Sequence, residues 1–184
     1  YMRRGGGIIT LEDLARYEPE WVDTVSTTYH GYGIHQLPPP GQGFAALEML
    51  NILEVCAPKL GVKLTALGPA DPMTWHLLVE AKKLAYADLL ARNGDPKFSP
   101  IPVQQLISKS YAATRCDKID PNRAGPVGVV GGTDGGTIYM ASADRWGNMV
   151  SLVHSVFSEY GSRASVGPFG FVLHNRGSAF SLEA

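Results

Sequence analysis

Between Asp117 and Gly136 the chain changes in kind. Helical patterns dominate before it, strand patterns follow it, and the stretch itself is polar and loose, with Pro121, Pro126 and a run of glycines that ends in Gly135-Gly136-Thr137. Proline and glycine at that density mark a flexible linker or loop. One uninterrupted helical bundle or one continuous sheet is therefore excluded, and residues 1–136 and 137–184 are expected to be different parts of a larger arrangement.

The first part reads mostly as helix. Thr10 stands where an N-cap should, with Asp13 at the third helical position, and this short helix should reach about Tyr17. Residues 21–37 are β-branched and aromatic and are interrupted by Gly31 and Gly33, which suggests two strands around a tight turn. Pro38-Pro39-Pro40-Gly41 breaks any regular element. Residues 44–56 are apolar almost all round, as expected of a helix in the middle of a core. Asp71-Pro72 supplies a cap and a first-turn proline for a long amphipathic helix to about Arg92, and residues 103–116 form a further helix candidate.

The second part opens with a hairpin. Residues 137–143 and 148–155 are strand-like runs around Asp144-Arg145-Trp146-Gly147. If Ala143 faces Asn148, Thr137 faces His154; if Asp144 faces Asn148, Thr137 faces Ser155. Either way, the hydroxyls of Thr137 and Ser155 fall within about one residue of each other across the ladder.

Composition narrows the function classes. Apolar residues make up 45% and charged residues 18%, so a disordered or solvating segment does not fit. Sixteen Lys plus Arg against seventeen Asp plus Glu give a net charge of -1, which offers no basic footprint for nucleic acid and no polybasic membrane patch. No apolar run approaches the roughly 18 residues of a membrane span. Cys56 and Cys116 match no metal spacing and allow one pair at most, so neither a disulfide framework nor a zinc site is indicated. The five histidines, at 30, 35, 76, 154 and 174, are scattered, and neither metal nor cofactor is expected. Glu80 and Asp88 share a helix face that reads as solvated or salt-bridged. The chain opens on Tyr1 and stops at Ser181-Leu182-Glu183-Ala184 without a terminal signal, so it is expected to be a fragment; the compartment is left open.

The junction Gly135-Gly136-Thr137 can carry chemistry. A glycine-rich segment that delivers a hydroxyl residue to the start of a strand is the arrangement required by N-terminal nucleophile hydrolases. In these enzymes the Thr attacks the preceding carbonyl, is released as a new chain start, and uses its own α-amino group as base, with a pKa of about 7.7 to 8.0. The same residues also fit a plain glycine-rich loop entering a strand.

Longer motifs narrow the choice. Gly6-Gly7-Ile8-Ile9-Thr10-Leu11-Glu12-Asp13-Leu14, Tyr29-His30-Gly31-Tyr32, Pro38-Pro39-Pro40, the run around His76, Glu80 and Lys83 to Asp88, and Gly94-Asp95-Pro96 resemble the late large-subunit region of the γ-glutamyltranspeptidase family. Asp144, Gly147-Asn148, Tyr160-Gly161-Ser162 and Gly170-Phe171 resemble the start of its small subunit.

That resemblance implies an α/β fold, the αββα four-layer sandwich of the N-terminal nucleophile hydrolase type, with only the central part in this chain. Residues 1–136 would be the C-terminal part of the large-subunit region, ending in a flexible linker at 117–136, and 137–184 the start of the small-subunit region. It implies Thr137 as the catalytic nucleophile, Gly136-Thr137 as the autocleaved bond and Ser155 as the hydroxyl that orients Thr137. Expected partners are a small-molecule amide substrate and the remaining segments of the same precursor. A Gly-Gly oxyanion hole is expected beyond Ala184 and a carboxylate-binding Arg before Tyr1.

Three positions depart from the family pattern. Where γ-glutamyl-accepting members place Asn, Gln and Asp around the substrate ammonium, this chain has Phe157, Arg176 and Ala179. A cation and two apolar side chains do not hold an ammonium. Arg176 suits a carboxylate or other acidic oxygen instead, and equally suits a structural salt bridge or a solvated position. Asn175, next to it, is a further substrate-binding candidate or a turn cap. Three functions stay open: an autoprocessing threonine amidohydrolase or acyltransferase acting on γ-glutamyl-type amides, a related amide acylase of the cephalosporin-acylase or oxamate-amidohydrolase kind without α-amino recognition, and a non-catalytic unprocessed homologue that serves as a binding protein.

Overall fold

The computed structural model describes residues 2–126 and 137–180. Gly136 and the later part of the expected linker, residues 127–136, lie outside the described residues. Two compact units emerge, one of Glu20–Val129 and one of Tyr1–Pro19 with Val130–Ala184.

The unit Glu20–Val129 is built around one helix. Strands β1 (Val25–Tyr29) and β2 (Tyr32–Gln36) pair antiparallel from Val25↔Gln36 to Tyr29↔Tyr32. His30 and Gly31 form the tight turn at φ of 49° and 85°, the left-handed pair that a two-residue hairpin needs. Helix α2 (Gly43–Lys59) follows and is the expected core helix: Phe44, Leu47, Ile52 and Cys56 are at most 1% exposed. Each such side chain contributes about 1.5–3 kcal/mol when it leaves water.

Helix α3 (Leu64–Leu67) is a single turn that the sequence pattern does not announce. Helix α4 (Pro72–Arg92) starts as expected, with Asp71 Oδ1 accepting the Met73 N–H at 2.8 Å and Pro72 in the first turn. Its buried face, Leu77, Ala81, Ala85 and Leu89, packs on α2, and the two alanines let the helix backbones come close.

The helix expected at 103–116 is two pieces, α5 (Val103–Leu106) and α6 (Lys109–Arg115). Ser108 adopts extended backbone between them and its Oγ accepts the Tyr111 N–H at 3.1 Å. The hydroxyl substitutes for the continuing helical bond, so the chain restarts rather than runs on. Docking of α6 on α2 brings Cys116 to Cys56, and the two form a disulfide with Cα atoms 5.1 Å apart. The pair allowed by the cysteine count is therefore made.

Residues 117–126, the first part of the stretch expected as a linker, have anchors of their own. Ile119 is buried, Asp120 bridges to Arg123, and Lys83 Nζ donates to the Gly125 carbonyl at 2.9 Å and to Glu80 at 2.7 Å. Glu80 also accepts the Gly125 N–H at 3.2 Å. The Glu80 and Asp88 face of α4 is thus ion-paired as expected, but against protein rather than water: Asp88 pairs with Arg115 and accepts from the Tyr111 hydroxyl at 2.9 Å. Glu48 of α2 is fully buried beside them. Burial foremost, and then the Asp88 carboxylate beside it, push its carboxyl up to about 9. Burial acts to raise Asp88 too, but the Glu48 carboxyl beside it and the hydrogen bonds from Arg115 and Tyr111 outweigh it and hold Asp88 below the usual carboxylate range.

In the other unit, α1 (Leu11–Arg16) carries the expected capping box: Thr10 Oγ1 accepts the Asp13 N–H at 3.1 Å and Asp13 accepts the Thr10 N–H at 2.7 Å. Strands β3 (Ile138–Ala143) and β4 (Met149–His154) form the expected hairpin. Apolar side chains project from both of its faces, including Ile138, Met140, Val150 and Leu152 on one and Tyr139, Met149 and Val153 on the other, and all are exposed among the described residues. A two-stranded ribbon with two bare apolar faces is a piece of a layered sheet structure. Among the described residues no helix is long and apolar enough to cross a membrane.

Candidate active site

The turn of the hairpin sets the site. Asp144 Oδ1 accepts the N–H groups of Trp146 at 2.9 Å and Asn148 at 3.0 Å, while the Asn148 side chain donates to Oδ2 at 2.7 Å. These bonds, the one from the Asn148 side chain foremost, hold the Asp144 carboxyl below its ordinary range. Gly147 closes the turn at φ 86° and its N–H donates to the Asp144 carbonyl at 3.2 Å. The loop is therefore three residues long with glycine in the left-handed position, and Asp144 faces Asn148.

Register follows from that turn. Ala143 pairs with Met149 and Ile138 with His154, so one step beyond the ladder Thr137 faces Ser155. Of the two registers the sequence allowed, this is the second. Thr137 Oγ1 donates to Ser155 Oγ at 2.8 Å. Ser155 Oγ also accepts the Phe157 N–H at 2.9 Å, which fixes its lone pairs and turns the chain sharply after β4.

Phe157 itself sits at φ 78°, a conformation that costs a non-glycine residue about 1–2 kcal/mol. Its ring lies under the guanidinium of Arg176, with 4.6 Å from Cζ to the ring centroid. A second connection holds this arrangement together. The Asn175 side chain accepts the Ser158 N–H at 3.0 Å and donates to the Ser158 carbonyl at 3.3 Å, and its own N–H donates to the Val156 carbonyl at 3.2 Å. The Asn175 amide is thus engaged with backbone. Ala179 closes a 3-10 turn with Arg176 and is exposed.

Structure thus brings Thr137, Ser155, Phe157, Asn175 and Arg176 into one connected set. The left-handed turn at Phe157 and the two-point grip of Asn175 on Ser158 are the features that sequence reasoning did not identify. Nothing in the residue types marks them, because both arise from backbone path. Two histidines bond backbone groups: His76 bonds the Asp120 carbonyl at 2.8 Å, and His174 Nδ1 accepts the Arg176 N–H at 3.2 Å. Among the described residues no three His, Cys, Asp or Glu side chains gather as a metal site would require.

Comparison with known proteins gives the arrangement its context. The sequence model of one family, described as Gamma-glutamyltranspeptidase, matches residues 1–184. The chain is 36% identical over 187 aligned residues to a glutathione hydrolase-like YwrD proenzyme of Bacillus subtilis (strain 168), covering 100% of this chain and 33% of that protein. It is 34% identical over 189 aligned residues to the glutathione hydrolase proenzyme of Escherichia coli (strain K12), covering 99% and 32%. Among solved structures, the cephalosporin acylase from Bacillus halodurans superposes with a TM-score of 0.79 at 37% identity, covering 99% of this chain and 32% of that one. The chain therefore spans about a third of the length of these relatives. Its helices and small antiparallel sheets have the α/β architecture of these N-terminal nucleophile hydrolase neighbours, as the sequence led us to expect.

Proposed function

Because the chain belongs to the gamma-glutamyltranspeptidase family, we propose that it carries the processing junction and nucleophile of an autoprocessing threonine amidohydrolase. The observation that carries this reading is the 2.8 Å hydrogen bond from Thr137 Oγ1 to Ser155 Oγ. A hydroxyl that donates to a fixed acceptor has its free lone pairs directed away from that acceptor and enriched in electron density.

In the precursor, Thr137 Oγ1 attacks the Gly136 carbonyl carbon. The C–N bond to Thr137 breaks as the C–O bond forms, giving an ester and a free α-amine, and water then hydrolyses the ester to leave the Gly136 carboxylate. Residues 1–136 thereby become the end of a large subunit and 137–184 the beginning of a small one.

In the mature enzyme the Thr137 amine takes the proton of its own hydroxyl as Oγ1 attacks the substrate amide carbon. The tetrahedral oxyanion collapses, the leaving amine departs with that proton, and an acyl ester remains on Thr137. Water, activated by the same amine, releases the acid; an acceptor amine in place of water makes the reaction a transfer. Ser155 orients the attacking oxygen throughout. Stabilisation of the oxyanion, worth about 100- to 1000-fold in rate, falls to residues outside this chain, as does the remainder of the sandwich that covers the β3–β4 faces.

The test uses full-length protein in three forms: wild type, Thr137→Ala and Thr137→Ser. We expect wild type to separate into two chains and to hydrolyse amide substrates, Thr137→Ala to stay whole and inert, and Thr137→Ser to process more slowly. A wild-type protein that stays whole and inert but keeps its fold supports the non-catalytic binding homologue instead.

A further inference from the structure

We propose that His76, Glu80 and Lys83 of α4 form a track for the chain segment that runs on to the processing junction, and that the grip of Glu80 and Lys83 on Gly125 positions the chain for autocleavage. This inference rests on the reading of Gly136–Thr137 as the cleaved bond.

The three side chains stand at i, i+4 and i+7, which is one face of a helix. His76 Nε2 donates to the Asp120 carbonyl at 2.8 Å. Farther along the same face, Glu80 accepts the Gly125 N–H at 3.2 Å and Lys83 Nζ donates to the Gly125 carbonyl at 2.9 Å, while a 2.7 Å bond joins the two side chains. The segment is therefore bound in the order in which α4 presents its residues. Gly125 is held at both of its backbone polar groups, which fixes its rotation as well as its place.

Stability alone does not account for this arrangement. Glu80 is 4% exposed, and a buried ion pair gains little over apolar residues of the same volume. Here both partners spend further bonds on one backbone residue outside the helix. Gly125 has the shape to receive them: a Cβ there would stand 2.7 Å from Glu80 Oε2, so no larger residue fits while the carboxylate stays in place. The next residue, Pro126, has a fixed φ and biases Gly125 toward extended backbone, which carries the orientation set at the clamp one residue further.

The position of the clamp in the chain gives it a role. Gly125 stands eleven positions before Gly136, and among the described residues its backbone is the last to be hydrogen-bonded ahead of the junction. Thr137 is held from the other side by Ser155. Attack on the Gly136 carbonyl needs the acyl side in a defined orientation, and small misplacements cost large factors in rate. With the clamp open, the nearest anchor is Asp120, sixteen positions before Gly136. That added length costs less than about two-fold in chain entropy. A larger loss therefore measures orientation rather than slack.

Full-length precursor made by cell-free translation tests the proposal, with cleavage followed on gels in wild type, Gly125→Ala, Lys83→Met and Lys83→Arg. Gly125→Ala and Lys83→Met should be cut roughly 3- to 30-fold more slowly than wild type. Lys83→Arg, which can still donate to both partners, should stay within about two-fold. Once cut, each variant should hydrolyse whichever of γ-glutamyl and glutaryl anilide wild type cleaves faster, with kcat and KM within about two-fold of wild type, because the clamp acts before maturation. Unfolding temperatures in the uncleavable Thr137→Ala background separate positioning from folding. Gly125→Ala removes no charge, should keep the precursor within a few degrees of its parent, and decides the matter if Lys83→Met fails to fold. The assignment is overturned if Gly125→Ala slows cleavage by no more than the roughly two-fold that chain length explains. It is equally overturned if that variant abolishes the unfolding transition, or if kcat/KM falls in step with the processing rate. Failure of the Gly136–Thr137 reading looks different: wild type itself would then stay uncut.

Discussion

Thr137 and Ser155 meet at 2.8 Å because a turn has a glycine, Gly147, eight residues before Ser155, in the one position that needs it. Asp144 gathers two N–H groups and the Asn148 amide, Gly147 takes the left-handed place, and the three-residue loop sets the register that places one hydroxyl opposite the other.

If register is set there, Gly147→Ala should weaken the site without touching it. A Cβ at Gly147 meets nothing within 4 Å, so its effect comes from the left-handed φ alone, about 1 kcal/mol. Processing of the full-length protein should slow measurably, and Gly147→Asn, which tolerates that conformation, should process faster than Gly147→Ala. Equal rates for both variants and wild type would show that the turn does not govern the alignment.

Ser155→Ala removes the acceptor that orients Thr137 and leaves the Phe157 N–H without its partner. Steady-state kinetics of whatever processed enzyme forms should show kcat lowered roughly 10- to 100-fold with KM little changed, because the lost interaction acts on attack rather than on binding. Ser155→Thr keeps the hydroxyl and should restore most of the rate. A KM effect with unchanged kcat would contradict an orienting role.

The Cys56–Cys116 disulfide closes a loop of 60 residues between α2 and the end of α6. Chain-entropy arguments give such a closure about 4 kcal/mol of stability. Thiol titration of denatured, unreduced protein should find neither cysteine free, and reduction or Cys116→Ser should lower the unfolding temperature by several degrees. Two free thiols in the unreduced protein would refute the pairing.

Glu48 makes stability depend on pH with a definite sign. Its folded value near 9 exceeds the ordinary 4.5, so across that window the folded state keeps a proton that the unfolded state has released. Stability therefore falls as pH rises, by up to about 1.4 kcal/mol per unit, and levels off above the folded value. Glu48→Gln keeps the shape and a hydrogen-bonding amide but no titration. Unfolding temperatures of wild type and variant measured from about pH 5 to about pH 9 should diverge, with the variant the flatter of the two; parallel curves would remove Glu48 as the cause.

The elements legible in the sequence are those whose cause is local. Thr10 with Asp13, Asp71 with Pro72, and the glycines of both hairpin turns act on neighbours a few residues away, and each appears where its chemistry requires. The hairpin reading confined Thr137 to two partners, His154 or Ser155, and the Asp144 turn decides between them. Ser108 was missed as a break because serine within a helical pattern is ambiguous until its hydroxyl is seen to cap the next turn. The pairing of Cys56 with Cys116 and the burial of Glu48 depend on how α6 and α4 dock onto α2, which no local pattern encodes. Phe157 belongs to the same class: its identity signals a lost polar contact, but its left-handed backbone and its place beneath Arg176 appear only once residues 155–158 and 174–176 are folded together.

The proposal depends most on which residue begins the smaller chain. Intact-mass spectrometry with N-terminal sequencing of purified full-length protein should find a fragment whose first residue is Thr137 with a free α-amine, and none in the Thr137→Ala variant. A mature protein cut elsewhere, or left uncut while still hydrolysing amides, would contradict it.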